Sequence, residues 1–161
     1  MKKIRWGIIG LGNIANKFAQ AVTKMQNTEL VAVASRTKEK SEHFGNNYGV
    51  ANQKCDGSYE EIVKDNDVDV IYIAVPHSMH KELSILCLKN KKAVLCEKPV
   101  TLNEEEAVEV INCAKENETF FMEAMKTRFL PVHKEVKRMV EDGEIGEVRL
   151  IQADFGFYTE F

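Results

Sequence analysis

Long apolar runs are missing from this chain. The longest, Val70 to Val75, falls far short of the ~20 residues that span a bilayer, so no membrane helix is expected and membrane residence is excluded. No charge of one sign dominates: 22 Lys and Arg stand against 25 Asp and Glu, a net charge of −3, which excludes a nucleic-acid binder by bulk charge. Three prolines and nine glycines exclude collagen-like and disordered compositions. The four cysteines, Cys55, Cys87, Cys96 and Cys113, form no C-x-x-C pair. Three of them lie in apolar segments, where a reduced thiol packs as a small hydrophobe, and this predicts a reducing, cytoplasmic location. Lys2, Lys3 and Arg5 give the start the charge of a signal peptide, but Arg5 and Asn13 interrupt the apolar stretch that such a peptide needs. What remains is 161 residues with 44% apolar content, enough to bury the core of about one domain.

Apolar runs alternate with amphipathic stretches along the chain. Ile4 to Gly10 reads as a buried strand, and Ala15, Phe18, Ala19, Val22 and Met25 recur at helical spacing. Leu30 to Ala34 is a strand again. Ser58 with Glu61 is a capping-box pattern opening a short helix, and Val68 to Val75 is apolar on both faces, as a central parallel strand is, until Pro76 ends it. Met79, Leu83, Leu86 and Cys87 mark a helix and Ala93 to Cys96 a strand. Asn103 with Glu106 forms a second capping box before Ala107, Val110, Ile111 and Ala114, and Thr119 to Met122 is a last short strand. Helices that carry the chain back across a parallel sheet by right-handed crossovers make a doubly wound α/β layer. The fold class is therefore a Rossmann-like domain over residues 1–122.

After Met122 the pattern changes. Pro131 sits in the first turn of a helix carried by Val132, Val136, Met139 and Val140 and stopped at Gly143. Val148 to Tyr158 reads as one long strand with Ile151, Ala153, Phe155 and Phe157 on one face. A strand that long needs partners, so residues 123–161 are expected to begin a second, incomplete α/β domain, or else to self-associate.

The chemistry gathers at strand ends. Gly10-Leu11-Gly12-Asn13-Ile14-Ala15 is G-x-G-x-x-A at a strand–helix junction: Gly10 for the tight turn, Gly12 for close approach of a pyrophosphate, Ala15 for close helix packing. Helix-start amides then face the phosphate. At the end of the second strand an NAD site places Asp or Glu against the ribose 2′-hydroxyl, whereas this chain has Ala34-Ser35-Arg36-Thr37-Lys38. An Arg there pairs with a 2′-phosphate, which favours NADP over NAD. Pro76-His77-Ser78-Met79-His80 and Cys96-Glu97-Lys98-Pro99 follow later strands, at the edge where open α/β sheets bind ligands.

The combination of GIIGLGNIA, VASRT, AVPHSMH, LCEKPVTLN and MEAMKTRFLP closely resembles the Gfo/Idh/MocA oxidoreductases, nearest the dihydrodiol dehydrogenase and xylose dehydrogenase branch. The resemblance spans nearly the whole chain, and the E-K-P motif is far more specific than the glycines. It implies an NAD(P)-dependent dehydrogenase or reductase of a small sugar, polyol or cyclic diol, a homo-oligomer at full length. By the same resemblance Gly10, Leu11, Gly12, Asn13 and Ile14 would hold the pyrophosphate, and Ser35, Arg36 and Thr37 the adenosine ribose phosphate. Ala74, Val75, Pro76, His77 and His80 would line the nicotinamide side. Glu97 and Lys98 match the family's acid–lysine pair, the peptide before Pro99 is often cis in relatives, and Glu123 and Arg128 fall in the segment that closes over nicotinamide and substrate.

Lys98 is the catalytic candidate, because a hydrogen-bonding cation beside the reacting oxygen favours the developing alkoxide. His77 and His80 have a spacing seen in metal sites, but nothing nearby completes a ligand shell, so no metal is expected. His43 and His133 are given no role, and the run Glu104-Glu105-Glu106 suits a helix start. The family's second acid–base residue would lie beyond Phe161, so this chain is expected to bind dinucleotide and catalyse poorly by itself. Lys126 stands where the dihydrodiol branch commonly has an aromatic residue. The alternative class is a non-catalytic NADP-binding or sensor module, which would keep the glycines and Arg36 but have no need of Lys98.

Overall fold

A computed structural model describes residues 3–154 together with Gly156 and Tyr158. The chain divides into two compact units, Met1–Ala124 and Met125–Phe161.

Six strands build the first unit: β1 (Ile4–Ile9), β2 (Thr28–Ala34), β3 (Cys55–Asp56), β4 (Val70–Ile73), β5 (Ala93–Cys96) and β6 (Phe121–Glu123). They form one sheet in the order β3-β2-β1-β4-β5-β6, and every pairing is parallel. Between them run α1 (Asn13–Lys24), α2 (Lys38–Tyr48), α3 (Tyr59–Ile62), α4 (His80–Lys89) and α5 (Glu104–Glu116). The strand order reverses between β1 and β4, and a crevice opens there at the carboxyl ends of the strands.

Alternate residues of each strand enter different cores, which is why the strands read as continuous apolar runs. Ile8, Val33 and Tyr72 pack with Ala15, Ala19 and Val22 of α1 and Phe44 of α2. Ile9, Ala34, Ile71, Ile73 and Val94 pack with Leu83, Cys87 and Leu88 of α4 and Val110 of α5 on the other face. Phe18 stacks on Tyr72 with ring centroids 3.9 Å apart, and Trp6 meets Phe18 edge-on. All four cysteines are buried free thiols, and burial pushes that of Cys96 up to about 12.

The opposite end of the sheet is closed by charge. Arg5 pairs with Asp67 and Asp69, and Lys54 with Asp65 and Asp67. Lys92, buried at the start of β5, donates to the carbonyls of Asp65 at 2.6 Å and Val68 at 2.9 Å.

Three local expectations need correction. Ser58 precedes α3 but makes no side-chain cap. The second capping box is made: the Glu106 amide donates to Asn103 Oδ1 at 2.9 Å, and the Glu106 carboxylate accepts from the Leu102 amide at 3.1 Å. The central strand is shorter than Val68 to Val75, since only Val70–Ile73 pairs on both sides. The last strand is Phe121–Glu123, shifted from Thr119 to Met122, and the Ala124 amide extends its pairing to the Cys96 carbonyl at 2.7 Å. The first unit thus runs two residues past 122.

In the second unit a short 3₁₀ turn, Lys126–Phe129, leads into α6 (Pro131–Glu141), where Arg138 bridges Glu135, Asp142 and Glu144. The long strand expected from Val148 is not formed: residues 148–154, 156 and 158 pair with no described strand, and an apolar alternation becomes a strand only when a neighbour takes its hydrogen bonds. The expected positions Phe155 and Phe157 lie outside the described residues.

Candidate functional site

The loop from β1 into α1 is set by Gly10. Its φ is +86°, and a Cβ there would stand 2.5 Å from the Ala74 carbonyl oxygen, so the β1 turn and the end of β4 touch through a residue that only glycine fits. Its amide donates to the Ala34 carbonyl at 3.1 Å, which ties the turn to β2 as well. Gly12 has an extended backbone and is the N-cap of α1, with no side chain capping the helix. A Cβ on Gly12 would meet nothing within 4 Å. The first amides of α1 therefore open onto free space in which they favour an anion.

A cleft of about 330 Å³ occupies this crevice. Of the expected residues, Gly10, Leu11, Gly12, Ser35, Arg36, Thr37, Ala74, Val75 and Pro76 line it. Asn13 and Ile14 begin α1 just beyond the wall, and His77 lies exposed in the 3₁₀ turn before α4. Glu97 and Lys98 follow β5, one strand over from β4, outside this lining. Arg128 belongs to the second unit, on the Lys126–Phe129 turn.

Arg36 and Thr37 are held in place by Ser35. The buried Ser35 hydroxyl donates to the Thr37 carbonyl at 2.8 Å and accepts from the Thr37 amide at 3.3 Å, and Ser41 lies 3.1 Å from it. The Ser35 side chain is thereby consumed in shaping the loop. Arg36 and Lys40 line the cleft, and among the described residues neither has a carboxylate partner. Lys38, grouped with Arg36 by sequence, points instead toward the Asn52 carbonyl at 3.5 Å. Tyr59 completes this end; burial pushes its phenol up, and the nearby Arg36 charge draws it partly back.

Lys40, Tyr59 and Met79 line the cleft without having been singled out. Lys40 reads as one charge in a solvated run, and the signal that could have found it is its place in the first helical turn after Arg36. Tyr59 and Met79 carry no comparable signal.

The peptide before Pro99 is cis. Lys98 is exposed, and its ammonium has no partner among the described residues. Glu97 accepts the Tyr72 hydroxyl at 2.6 Å; burial first, then that carboxylate, raises the Tyr72 phenol well above its usual value. His80, expected on the nicotinamide side, is instead fully buried and faces two carbonyls, because α4 turns its first residue inward beneath the loops. Glu123 accepts the Val100 amide at 2.9 Å. No described group of three or more His, Cys, Asp or Glu side chains is placed to hold a metal ion, and no helix among the described residues is long and apolar enough to cross a membrane.

A parallel sheet of this order, with a glycine turn at the strand reversal, an uncapped helix start and Arg36 just past the end of β2, defines a dinucleotide-binding Rossmann domain. The chain belongs to the Gfo/Idh/MocA oxidoreductase family with an NAD-binding Rossmann fold, matched over residues 4–125. It is 39% identical over 154 residues to trans-1,2-dihydrobenzene-1,2-diol dehydrogenase of Xenopus tropicalis, covering 94% of this chain and 46% of that protein. The mouse enzyme of the same name is 40% identical over 156 residues, with 96% and 46% covered. The chain thus spans about half the length of these relatives. Among solved structures, KijD10, a 3-ketoreductase from Actinomadura kijaniata in complex with NADP, superposes with TM-score 0.82 at 31% identity, covering 92% of this chain and 47% of that one. An NAD-binding oxidoreductase from Klebsiella pneumoniae gives 0.82 at 27%, covering 90% and 40%.

Proposed function

We propose that this chain binds NADP and forms the cofactor half of an oxidoreductase acting on a hydroxyl or carbonyl carbon of a small sugar, polyol or cyclic diol. The observation that carries the cofactor reading is Arg36, with no carboxylate partner among the described residues, standing with Lys40 on the cleft wall where an NAD site needs a carboxylate. Charge-assisted hydrogen bonds from Arg36 to a 2′-phosphate contribute about 1.5–3 kcal/mol, a preference of about 10–100-fold over NAD. KijD10 carries NADP in its solved structure, which supports the same choice. The pyrophosphate lies in the space before Gly12, against the amides that open α1.

A dinucleotide held there would supply hydride exchange with the substrate carbon. Lys98 acts at the substrate oxygen: its ammonium donates a hydrogen bond that favours the alkoxide over the neutral alcohol. Residues 125–161 begin the substrate domain, and the second acid–base group belongs to the half of the relatives' length not spanned here. The full protein works as a homo-oligomer in the cytoplasm, a location favoured by four thiols left free. Its partners are small molecules, not nucleic acid.

Calorimetric titration of the 161-residue chain with NADP⁺ and NAD⁺ at two salt concentrations tests the cofactor half. NADP⁺ binds at least about tenfold tighter, salt weakens it, and Arg36→Ala removes the preference. Equal binding of the two would overturn the NADP assignment. In a form carrying the second domain, Lys98→Ala loses turnover and keeps cofactor affinity; unchanged turnover would remove Lys98 from the chemistry.

A further inference from the structure

The turn that carries Lys98 has almost no backbone anchorage of its own. The Glu97 amide still reaches the Ile73 carbonyl at 3.0 Å, continuing the ladder between β5 and β4. Beyond it the Lys98 amide finds only the Glu97 carboxylate of the preceding residue, at 3.3 Å, and Pro99 has no amide to give. Lys98 and Pro99 are both exposed, so packing does not fix them either. A lysine ammonium swings on a four-carbon stem, and a group that must act at one oxygen has to be placed within about 0.5 Å. The backbone beneath Lys98 therefore has to be held by something else.

Two side chains from distant elements supply the missing anchors. His80, the first residue of α4, is fully buried; its Nδ1 lies 2.8 Å from the Pro99 carbonyl oxygen and its Nε2 lies 3.0 Å from that of Val75. The ring thus sits between the turn after β5 and the end of β4, and a neutral imidazole donates its single N–H to one of the two carbonyls. Glu123 of β6 accepts the Val100 amide at 2.9 Å from the other side. Neither side chain lines the cleft. We infer that Glu123 and His80 are positioning residues that clamp the Lys98–Val100 turn against the ends of β4 and β6, instead of touching the dinucleotide. The value of such a clamp rests on the reading of Lys98 given above, but the clamp itself is measurable without it.

Amide hydrogen exchange at Val100, followed by NMR in the ¹⁵N-labelled 161-residue chain, tests this. Glu123→Ala removes the acceptor and speeds exchange of the Val100 amide by about 10–100-fold, the range of one hydrogen bond to a charged group. Glu123→Gln keeps an acceptor oxygen and restores slow exchange, while amides of Ile8 and Ile9 report that the sheet is intact in both. At His80, Asn retains a donor for the Pro99 carbonyl and keeps Val100 slow, whereas Leu keeps the bulk without the donor and speeds it. NADP⁺ affinity in Glu123→Gln stays within about twofold of the parent. Val100 exchange unmoved by Glu123→Ala would overturn the clamp. A tenfold loss of NADP⁺ affinity in Glu123→Gln with Val100 still slow would overturn it too, making Glu123 a cofactor contact. Failure of the parent chain to bind NADP⁺ would instead remove the proposed function and leave the Val100 result standing.

Discussion

Replacing Gly12 by serine should make the protein more stable and abolish its binding of dinucleotide. Gly12 is the N-cap of α1, with φ −96° and ψ −167°, a conformation open to any residue, and no side chain caps the helix. Serine is among the best N-cap residues, better than glycine by a few tenths of a kcal/mol, and removing a glycine restricts the unfolded chain by about 0.4–1 kcal/mol more. A Cβ at this position meets nothing of the protein within 4 Å, so no strain offsets the gain. The expected result is a stabilisation of roughly 0.6–1.4 kcal/mol, seen as a Tm higher by about 1–6 °C. The new hydroxyl, however, caps the amides and fills the space that the pyrophosphate needs. NADP⁺ affinity measured by calorimetry should fall by more than about tenfold. Loss of both properties would mean that Gly12 is a structural glycine, and NADP⁺ bound as before would mean that the phosphates lie elsewhere.

Gly10→Ala should behave in the opposite way. Positive φ costs about 1–2 kcal/mol in a residue with a Cβ, and pushing back the Ala74 carbonyl adds about 1–3 kcal/mol, so Tm drops by about 4–20 °C; an unchanged Tm would show that the β1 turn does not press on β4. Lys92→Met removes two hydrogen bonds from a buried ammonium and should cost about 1.5–3 kcal/mol in urea unfolding, with a cost near zero refuting the role of Lys92 as an anchor for the loop before β4. Burial, and then Glu61 and Asp65, raise Asp56 above its ordinary 3.8. Ionisation therefore penalises the folded state, and stability is lost as pH climbs from 3.8 through the raised folded value. Asp56→Asn should accordingly raise Tm at pH 7, with the gain vanishing as pH falls toward 3.8; equal Tm at pH 7 would refute the assignment.

The sheet was legible because parallel strands buried on both faces leave unbroken apolar runs, and because Gly10 announces the turn between β1 and α1. Its cleft was legible for a related reason: the loops that follow β1, β2 and β4 carry the residues that line it, Gly10 to Gly12, Ser35 to Thr37 and Ala74 to Pro76. The long alternation after Val148 misled, since period-two patterning states which face is apolar but not whether a neighbour strand is present to pair with it. Ser58 and Asn103 show the same limit on a smaller scale. Both carry a glutamate three residues on, yet only the Asn103 side chain caps its helix.

His80 and Glu123 show where the sequence falls silent about the site. Their hydrogen bonds cross 19 and 23 residues, and both end on backbone atoms, which every residue possesses and which therefore leave no trace in the side-chain pattern. Placed beside E-K-P and His77, His80 looks like a residue that meets the ligand. The fold gives it the less visible task because the carboxyl ends of β4, β5 and β6 lie side by side, each followed by a loop that must leave the sheet where the chemistry happens. Loops in that position cannot bond to one another as strands do without closing the cleft. Side chains rising from a neighbouring helix or strand can tie them down from behind, and Tyr72 on Glu97 repeats the arrangement at the first residue of the motif. The residues that contact cofactor and substrate can then be few and exposed, while those that fix them stand behind, withdrawn wholly or partly from solvent.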